Sequence, residues 1–396
     1  MKKKLCLLLA SFMVFSLLSC SKEPAPKKPD PKQNTDAKIE QVVVNTTDAD
    51  MEVLERLYAG LEVHHGQLHE HSDSGRRSDG EATLQDWKDL MPQFDMDFAA
   101  LLDHRQTDHM YHEDWDPALF ISGTEAMAYI IDRDKDYNKF HYNMIFHNVE
   151  DMETLLLTHD DTYHFANGMF RYGGMLSEKF TQIIEDVLEL GGFFVIAHPV
   201  QTKGVASDDA LDYYFCDGVG YEVFYHIYGQ HGPRALQTKI NYDVYVALLA
   251  AGKKVYATAG CDSHSVPTER GLTTIYAAEA LDTAYVSQLN KGNFTAGPVG
   301  VRMSVGETVM GGTTDFNGQR VVISVGDFHE SFRDGSYRLK VFSDKGEVLS
   351  VDLKDLNTAY FAFDADESAT FYRVEIHDTT LSDFTLLAMG NPIWND

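Results

Sequence analysis

Positive charge is scarce in this chain: 33 Lys and Arg stand against 61 Asp and Glu in 396 residues, a formal net charge of -28. A surface of that sign repels phosphate backbones, so long nucleic acids, and a nucleic-acid duplex in particular, are not expected as partners. A small anionic substrate stays open, provided that bound metal reverses the charge locally. Cysteine is scarce too, with four residues, so the core must hold the fold without disulfide staples. No internal repeat is found. What the chain does have is length and a 44% hydrophobic composition, enough for two ordinary domains or for one large barrel with an attachment.

The amino terminus, MKKKLCLLLASFMVFSLLSC, has a basic start and an apolar run too short to span a membrane comfortably, and it ends on Cys20. It resembles a bacterial lipoprotein signal over residues 1–20, which implies cleavage before Cys20, lipid on that cysteine, and an exported chain anchored to a membrane on its periplasmic or outer face. Residues 21–50 begin SKEPAPKKPDPKQNTDAK, rich in Pro and Lys and without an apolar face, and are expected to be an extended tether. Cys6 leaves with the signal and Cys20 takes the lipid, so Cys216 and Cys261 remain, and they are expected to be unpaired.

From residue 51 to residue 300 short apolar runs alternate with amphipathic stretches, the order of an α/β domain with a parallel sheet or barrel. Strand candidates are FAALLDH, LFISGTE, YNMIFH, GGFFVIAHP, GVGYEVFY and KKVYATAGCDSH; helix candidates are DMEVLERLYAGL, LSEKFTQIIEDVLELGG and NYDVYVALLAAGKK. Nearly every strand candidate ends on His, Asp or Glu, where α/β barrels gather their active sites. Residues 301–396 change to short alternating runs between Gly, Asp and Asn turns, the texture of a small antiparallel β-sandwich. His329 and His377 in that part are isolated and are expected to be ordinary surface or edge histidines.

His69 and His71 stand two apart on an extended segment, so both imidazoles project from one face. Asp262 and His264 repeat that spacing. Between them come Asp79 from the SDG loop, His104 after Asp103, Glu125 in SGTEA, His141 before YN, and His198 in AHP. A strand-end histidine alone is most often structural, but an ordered series of this kind is hard to explain by packing. His147 has the same strand parity as His141 and competes with it. Asp79 could instead cap the following helix. Arg105 could meet a phosphate or be a solvated surface residue. Asp103 is expected to point away as a hydrogen-bond acceptor, Glu222 to line the pocket without being a ligand, and Cys261 to pack behind the ligand strand. The stretch with His109 and His112 looks like a loop over the pocket mouth.

Taken in this order, the motifs H-x-H, S-D-G, D-H, G-x-E, a His before an N-containing strand, A-H-P and D-x-H resemble those of the PHP (polymerase and histidinol phosphatase) domain family, over about residues 60–300. The resemblance implies a distorted (β/α)7 TIM-like barrel whose strand ends hold two or three divalent ions, Zn, Mn or Fe, in a metal-dependent phosphoesterase. It implies that His69, His71, Glu125 and Asp262 hold one ion, that Glu125 bridges to a second held with His141 and His198, and that Asp79, His104 and His264 hold a third. Cations about 3.5 to 4 Å apart need anionic oxygen between them, which a bridging carboxylate supplies. Glu125, Asp262 and His264 would also serve catalysis. Such a site would hydrolyse a phosphate mono- or diester through an activated water. The rival readings are hydrolysis of a carboxylic ester, amide or carbamate, and binding of metal or ligand without turnover.

Overall fold

The computed structural model describes residues 42–396 apart from 134–138, 172, 200–206, 226–232, 266–271, 354–357 and 382–383. The signal with Cys6 and Cys20, and the tether up to residue 41, lie outside the described residues. Residues 39–396 form one compact unit. No disulfide joins Cys216 and Cys261.

Helix α1 (Asp48–Leu57) begins with a capping box, in which the Thr47 hydroxyl accepts from Asp50 N and the Asp50 carboxylate accepts from Thr47 N at 2.8 Å. The chain is held even before this helix: Val42 N donates to Val348 O at 3.0 Å and Asn45 N to Ala362 O at 2.9 Å. The tether expected to reach residue 50 therefore gives way to ordered backbone by residue 42, because donors there find carbonyls on the carboxy-terminal strands.

Seven strands then stand side by side in chain order: β1 (Glu62–Glu70), β2 (Phe98–Leu101), β3 (Phe120–Tyr129), β4 (Lys139–Phe146), β5 (Phe193–Ala197), β6 (Gly220–Tyr225) and β7 (Tyr256–Gly260). β2, β5, β6 and β7 are buried along their whole length, which explains their unbroken apolar runs. Helices α2 (Leu84–Leu90), α3 (Val149–Thr158), α4 (Asp160–Tyr163), α5 (Ser177–Glu189), α6 (Pro233–Ala250) and α7 (Asp282–Asn290) lie between or just after them. α5 buries Phe180, Ile183, Ile184 and Val187, one face at helical spacing.

β1, β2 and β3 run parallel, as do β5, β6 and β7, but β4 is antiparallel to both of its neighbours. The repeated strand–helix–strand order expected from the sequence fails at this point. β3 ends at Tyr129 and β4 begins at Lys139, too short a link for a crossover helix, so the chain turns back as a hairpin. Beyond β7 the chain returns to β1: Glu70 and Ser263 form a parallel bridge, and Asp262 N donates to His69 O at 2.8 Å.

β8 (Leu272–Ala277), absent from the sequence-based strands, pairs antiparallel with the other edge of β1, and β9 (Phe294–Ala296) pairs with β8. Apart from one two-residue strand at Thr313–Thr314, the carboxy-terminal strands pair antiparallel, as their alternation implies. β10 (Val299–Val305), β11 (Thr308–Val309), β13 (Arg320–Phe328) and β16 (Ala359–Asp364) make a four-stranded sheet, with β12 (Thr313–Thr314) between them in sequence. β14 (Tyr337–Ser343), β15 (Gly346–Asp352), β17 (Phe371–Asp378) and β18 (Leu386–Asn395) instead extend the first sheet, because β18 pairs with β9. Strands β1 to β9, this extension and β12, which pairs with β18, therefore share one 14-stranded sheet among the described residues. His329 is buried, not superficial: its Nε2 lies 2.8 Å from Phe94 O, in the turn that precedes β2. His109 is buried as well, with Nε2 3.0 Å from Leu101 O, and so is part of the packing behind β2, not of a loop over a pocket.

Candidate metal centre

The candidate ligands meet at one rim because the strands place them there. His69 lies at the end of β1 and His71 just past it, His104 follows β2, Glu125 lies within β3, His198 follows β5, and Asp262 and His264 follow β7. β4 runs the other way, so its beginning reaches this rim: His141 is there, and His147, past the opposite end, pairs with Asp151 at 2.7 Å. Neither Asp262 nor His264 is on its strand, contrary to the period-two reading, since β7 stops at Gly260 and Asp262 has φ 50°. His198 (φ 26°) and Arg105 (φ 56°) share this left-handed backbone. Non-glycine residues adopt it at a cost of about 1–3 kcal/mol, and such positions cluster at working sites.

Glu125 is at the middle of the arrangement. Its Oε2 lies 3.3 Å from His69 Nε2, 3.2 Å from His71 Nε2 and 3.2 Å from His104 Nδ1. Its Oε1 lies 2.6 Å from His141 Nδ1 and 3.2 Å from His198 Nε2. Asp262 Oδ1 is 3.1 Å from His71 Nε2 and 3.6 Å from His69 Nε2. Asp79 Oδ2 stands 3.5 Å from both His104 Nε2 and His264 Nε2. Helix α2 is capped by Thr83, with Asp86 completing the box, so Asp79 has no capping role. Among the described residues four groups have ligand atoms close enough for an ion: His69, His71, Glu125 and Asp262; Glu125, His141 and His198; His69, His198 and Glu222, the last of these expected only to line the pocket; and Asp79, His104 and His264 with His71 added. Burial falls from the first to the last, Glu125 being 0% exposed and the Asp79 side chain 55%.

Two observations fit cations here. His69 Nε2 and Glu125 Oε2 are buried, face each other and have no hydrogen-bond partner, a costly state unless something electrophilic lies between them. The charge balance agrees. Burial works against charge on His69 and His71, yet surrounding carboxylates raise both: Glu222, Glu125 and Asp262 lift His69 well above its ordinary range, and Asp262 and Glu125 lift His71 to about 9. Burial likewise works against ionised Glu125, but His69, His141 and His198 hold its carboxyl well below the usual range. The site thus pairs buried anions with protons on imidazoles, and divalent cations can take the place of those protons. Imidazole mixed with carboxylate suits Zn, Mn or Fe.

The supporting groups are equally specific. Glu222 Oε1 lies 2.9 Å from His69 Nδ1, and its Oε2 accepts from His198 N at 2.8 Å, so one carboxylate fixes a ring and a strained backbone together. Its place on β6 was legible in the sequence; its grip on His69 was not. A Cβ at Gly260 would come within 2.5 Å of Glu222 Oε1 and His69 Cβ, so that position admits glycine alone. Asp103 points away from the rim and accepts from Ser72 N at 2.7 Å and Gly75 N at 3.2 Å, tying down the loop after β1. Tyr225 donates to Asp262 Oδ2 at 2.9 Å. Glu70, between the two histidines of H-x-H, escaped the sequence reading. Burial pushes its carboxyl well above the ordinary range, and Ser263 N donates to its Oε2 at 3.2 Å. Cys261 is buried behind the rim.

No protein-family model matches the chain, and no curated protein matches it. Two solved structures are similar over part of it. One is the lesion-specific endonuclease PfuEndoQ from Pyrococcus furiosus, at 14% identity and a TM-score of 0.38 over 58% of this chain and 56% of that one. The other is endonuclease Q in complex with a 27-mer duplex substrate that has an abasic lesion at the active site, at 10% identity and a TM-score of 0.37, again over 58% and 56%. The chain spans little more than half the length of each. The expectation, drawn from net charge, that a nucleic-acid duplex is no partner runs against this finding, since that protein is bound to a duplex. Net charge sums over the whole surface, whereas a phosphate responds to the charges at one rim.

Proposed function

We propose that the chain is a metal-dependent hydrolase of phosphate esters, built on a distorted seven-strand barrel of the PHP type. The observation that carries this reading is Glu125, one buried carboxylate with five histidines from four segments of chain within 3.3 Å of its two oxygens. A carboxylate so placed can be shared by adjacent cations. When bound, the cations lower the pKa of water and neutralise phosphoryl oxygens.

The chain's own residues do the rest. His69, His71 and Asp262 would hold one ion with Glu125, and His141 and His198 another. Asp79, His104 and His264, the more exposed set, would hold a third ion. Glu222 keeps the Nδ1 proton of His69 in place, which leaves Nε2 free to ligate. Where that outer set holds no ion, His264, at the exposed edge, is available instead to hand a proton to a leaving group. The amino-terminal sequence supports export and lipid anchoring at Cys20 as the setting for this chemistry.

The test is a side-by-side assay of an aryl phosphate, an aryl phosphodiester and an aryl acetate, with the H69A/H71A protein as control. Phosphate hydrolysis that disappears in the control together with the bound metal is the expected result. Turnover of the acetate alone would turn the reading to carbonyl chemistry, and phosphatase activity unchanged by the double substitution would end it.

A further inference from the structure

A cavity of about 670 Å³ opens beside His104, and Arg77, Arg105, Arg171 and His164 line it together with Gln106. Elsewhere, the arginines whose side chains are described are committed to partners: Arg56 to Glu307 at 2.6 Å, Arg320 to Asp50 at 2.9 Å, Arg338 to Asp352 at 2.6 Å. Arg133 and Arg333 donate to oxygens of their own surroundings. Arg77, Arg105 and Arg171 are the exceptions. Among the described residues none of their guanidinium groups has a hydrogen bond or ion pair, although acids outnumber bases almost two to one in this chain. That the unpartnered ones all face one cavity, at the edge of the metal cluster, is the observation to explain.

They come from three separate segments, so chain proximity does not account for it. Arg77 is in the loop after β1, Arg105 follows β2, and Arg171 lies between α4 and α5. Each backbone is pinned. Arg77 N donates to Gln106 Oε1 at 3.1 Å, Arg105 N to Glu125 O at 2.9 Å, and Arg171 N to Tyr163 O at 2.8 Å. Phe170 N donates to Arg105 O at 3.1 Å, which joins the second and third segments directly. Arg105 also accepts a left-handed backbone, φ 56°, to stand there. The side chains themselves are exposed, so they meet solvent when the cavity is empty and are desolvated when an anion enters.

We infer that this cavity is a subsite for a second phosphate group of the substrate, one ester phosphate lying on the cations and another held by Arg77, Arg105 and Arg171. The inference rests on the phosphoesterase reading for the first phosphate. Guanidinium groups give phosphate paired, charge-assisted hydrogen bonds that a lone lysine cannot, and three of them match a dianion better than a monoanion. The second phosphate can belong to a small bisphosphate or to the neighbouring nucleotide of a chain; the chemistry of the subsite is the same.

The experiment has a binding arm and a turnover arm. In the first, the chelator-treated protein is titrated calorimetrically with propane-1,3-bisphosphonate and with propylphosphonate. The bisphosphonate should bind the wild type at least about tenfold more tightly than it binds the R77Q/R105Q/R171Q protein, since each lost charge-assisted pair is worth a large factor in affinity. In the second, kcat/KM is compared for propane-1,3-diyl bisphosphate against propyl phosphate, and for a 5′-phosphorylated dinucleotide against the same dinucleotide without that phosphate. A preference of about tenfold or more for the doubly charged member of a pair, lost in the triple variant, supports the subsite, and the pair that shows it identifies the source. Equal binding of bisphosphonate by wild type and variant overturns the subsite whatever the turnover. Binding that depends on the arginines, with no phosphate ester hydrolysed, keeps the subsite and removes the phosphoesterase reading instead.

Discussion

Glu222 shows how much of this centre depends on residues that need not touch an ion. It orients the His69 ring through Nδ1 and holds His198 through its backbone N–H, so two segments lose their reference if its charge is removed. E222Q should lower metal affinity by about 10–100-fold with the fold intact, as outer-shell partners of ligating histidines commonly do. Competition with a fluorescent chelator measures it, and unchanged affinity would show that His69 is held by other means. His65 gives a prediction free of the metals. Its Nδ1 lies 3.0 Å from Thr274 Oγ1, and burial, reinforced by the facing His329, holds its imidazole down at about 4. The unfolded chain takes a proton at this residue near pH 6.5, where the folded one does not. Stability is therefore complete above about pH 6.5, falls as the pH drops towards 4, and levels off below that, a loss of up to roughly 3 kcal/mol. H65Q should flatten this part of the curve in urea titrations at a series of pH values; an unaltered slope would show that His65 titrates alike in both states.

Elements explain why some of the site was legible in the sequence and some was not. His69 and His71 could be placed together because the extended chain of β1 runs on to His71, one residue past the strand, and a period of two fixes direction there. His141 could not be separated from His147 by the same rule, since parity is equal and only the reversed direction of β4 decides which end meets the rim. That reversal depends on a short link between β3 and β4, a feature of chain length that hydrophobic pattern does not display. Asp262 and His264 were found for a reason that does not hold, because the strand ends before them and a left-handed residue sets their direction. Glu70, Glu222 and the arginine-lined cavity depend on contacts between distant segments, which a single sequence does not encode visibly.

A further contact of this kind joins β17 to α6. Arg373 and Glu375 are buried side by side on β17, where His377 Nε2 lies 2.7 Å from Glu375 Oε2 and Tyr242 of α6 donates to Glu375 Oε1 at 2.8 Å. His377, read as an edge residue, is thus a member of a buried network. R373M leaves a buried carboxylate without its counter-ion and should cost about 3–5 kcal/mol, whereas R373M/E375L should recover most of that loss. Thermal unfolding of the two proteins decides it: a single variant as stable as the wild type would show that the carboxylate is compensated from elsewhere.

At the scale of the whole molecule, one acidic chain presents two places where that charge is answered locally, the histidine rim and the cavity beside it. The net charge of -28 says little about either, whereas motif order located the rim. The carboxy-terminal strands extend the sheet that holds the ligands and also take up the backbone ahead of α1. Everything proposed for the chemistry depends on cations at the rim. Elemental analysis of the protein purified without added metal, alongside the H69A/H71A and E125Q proteins, is the direct test. The expected result is roughly two to three divalent ions per chain in the wild type and fewer than one in either variant. A wild type that holds no metal after equilibration with micromolar Zn, Mn and Fe would contradict the centre itself.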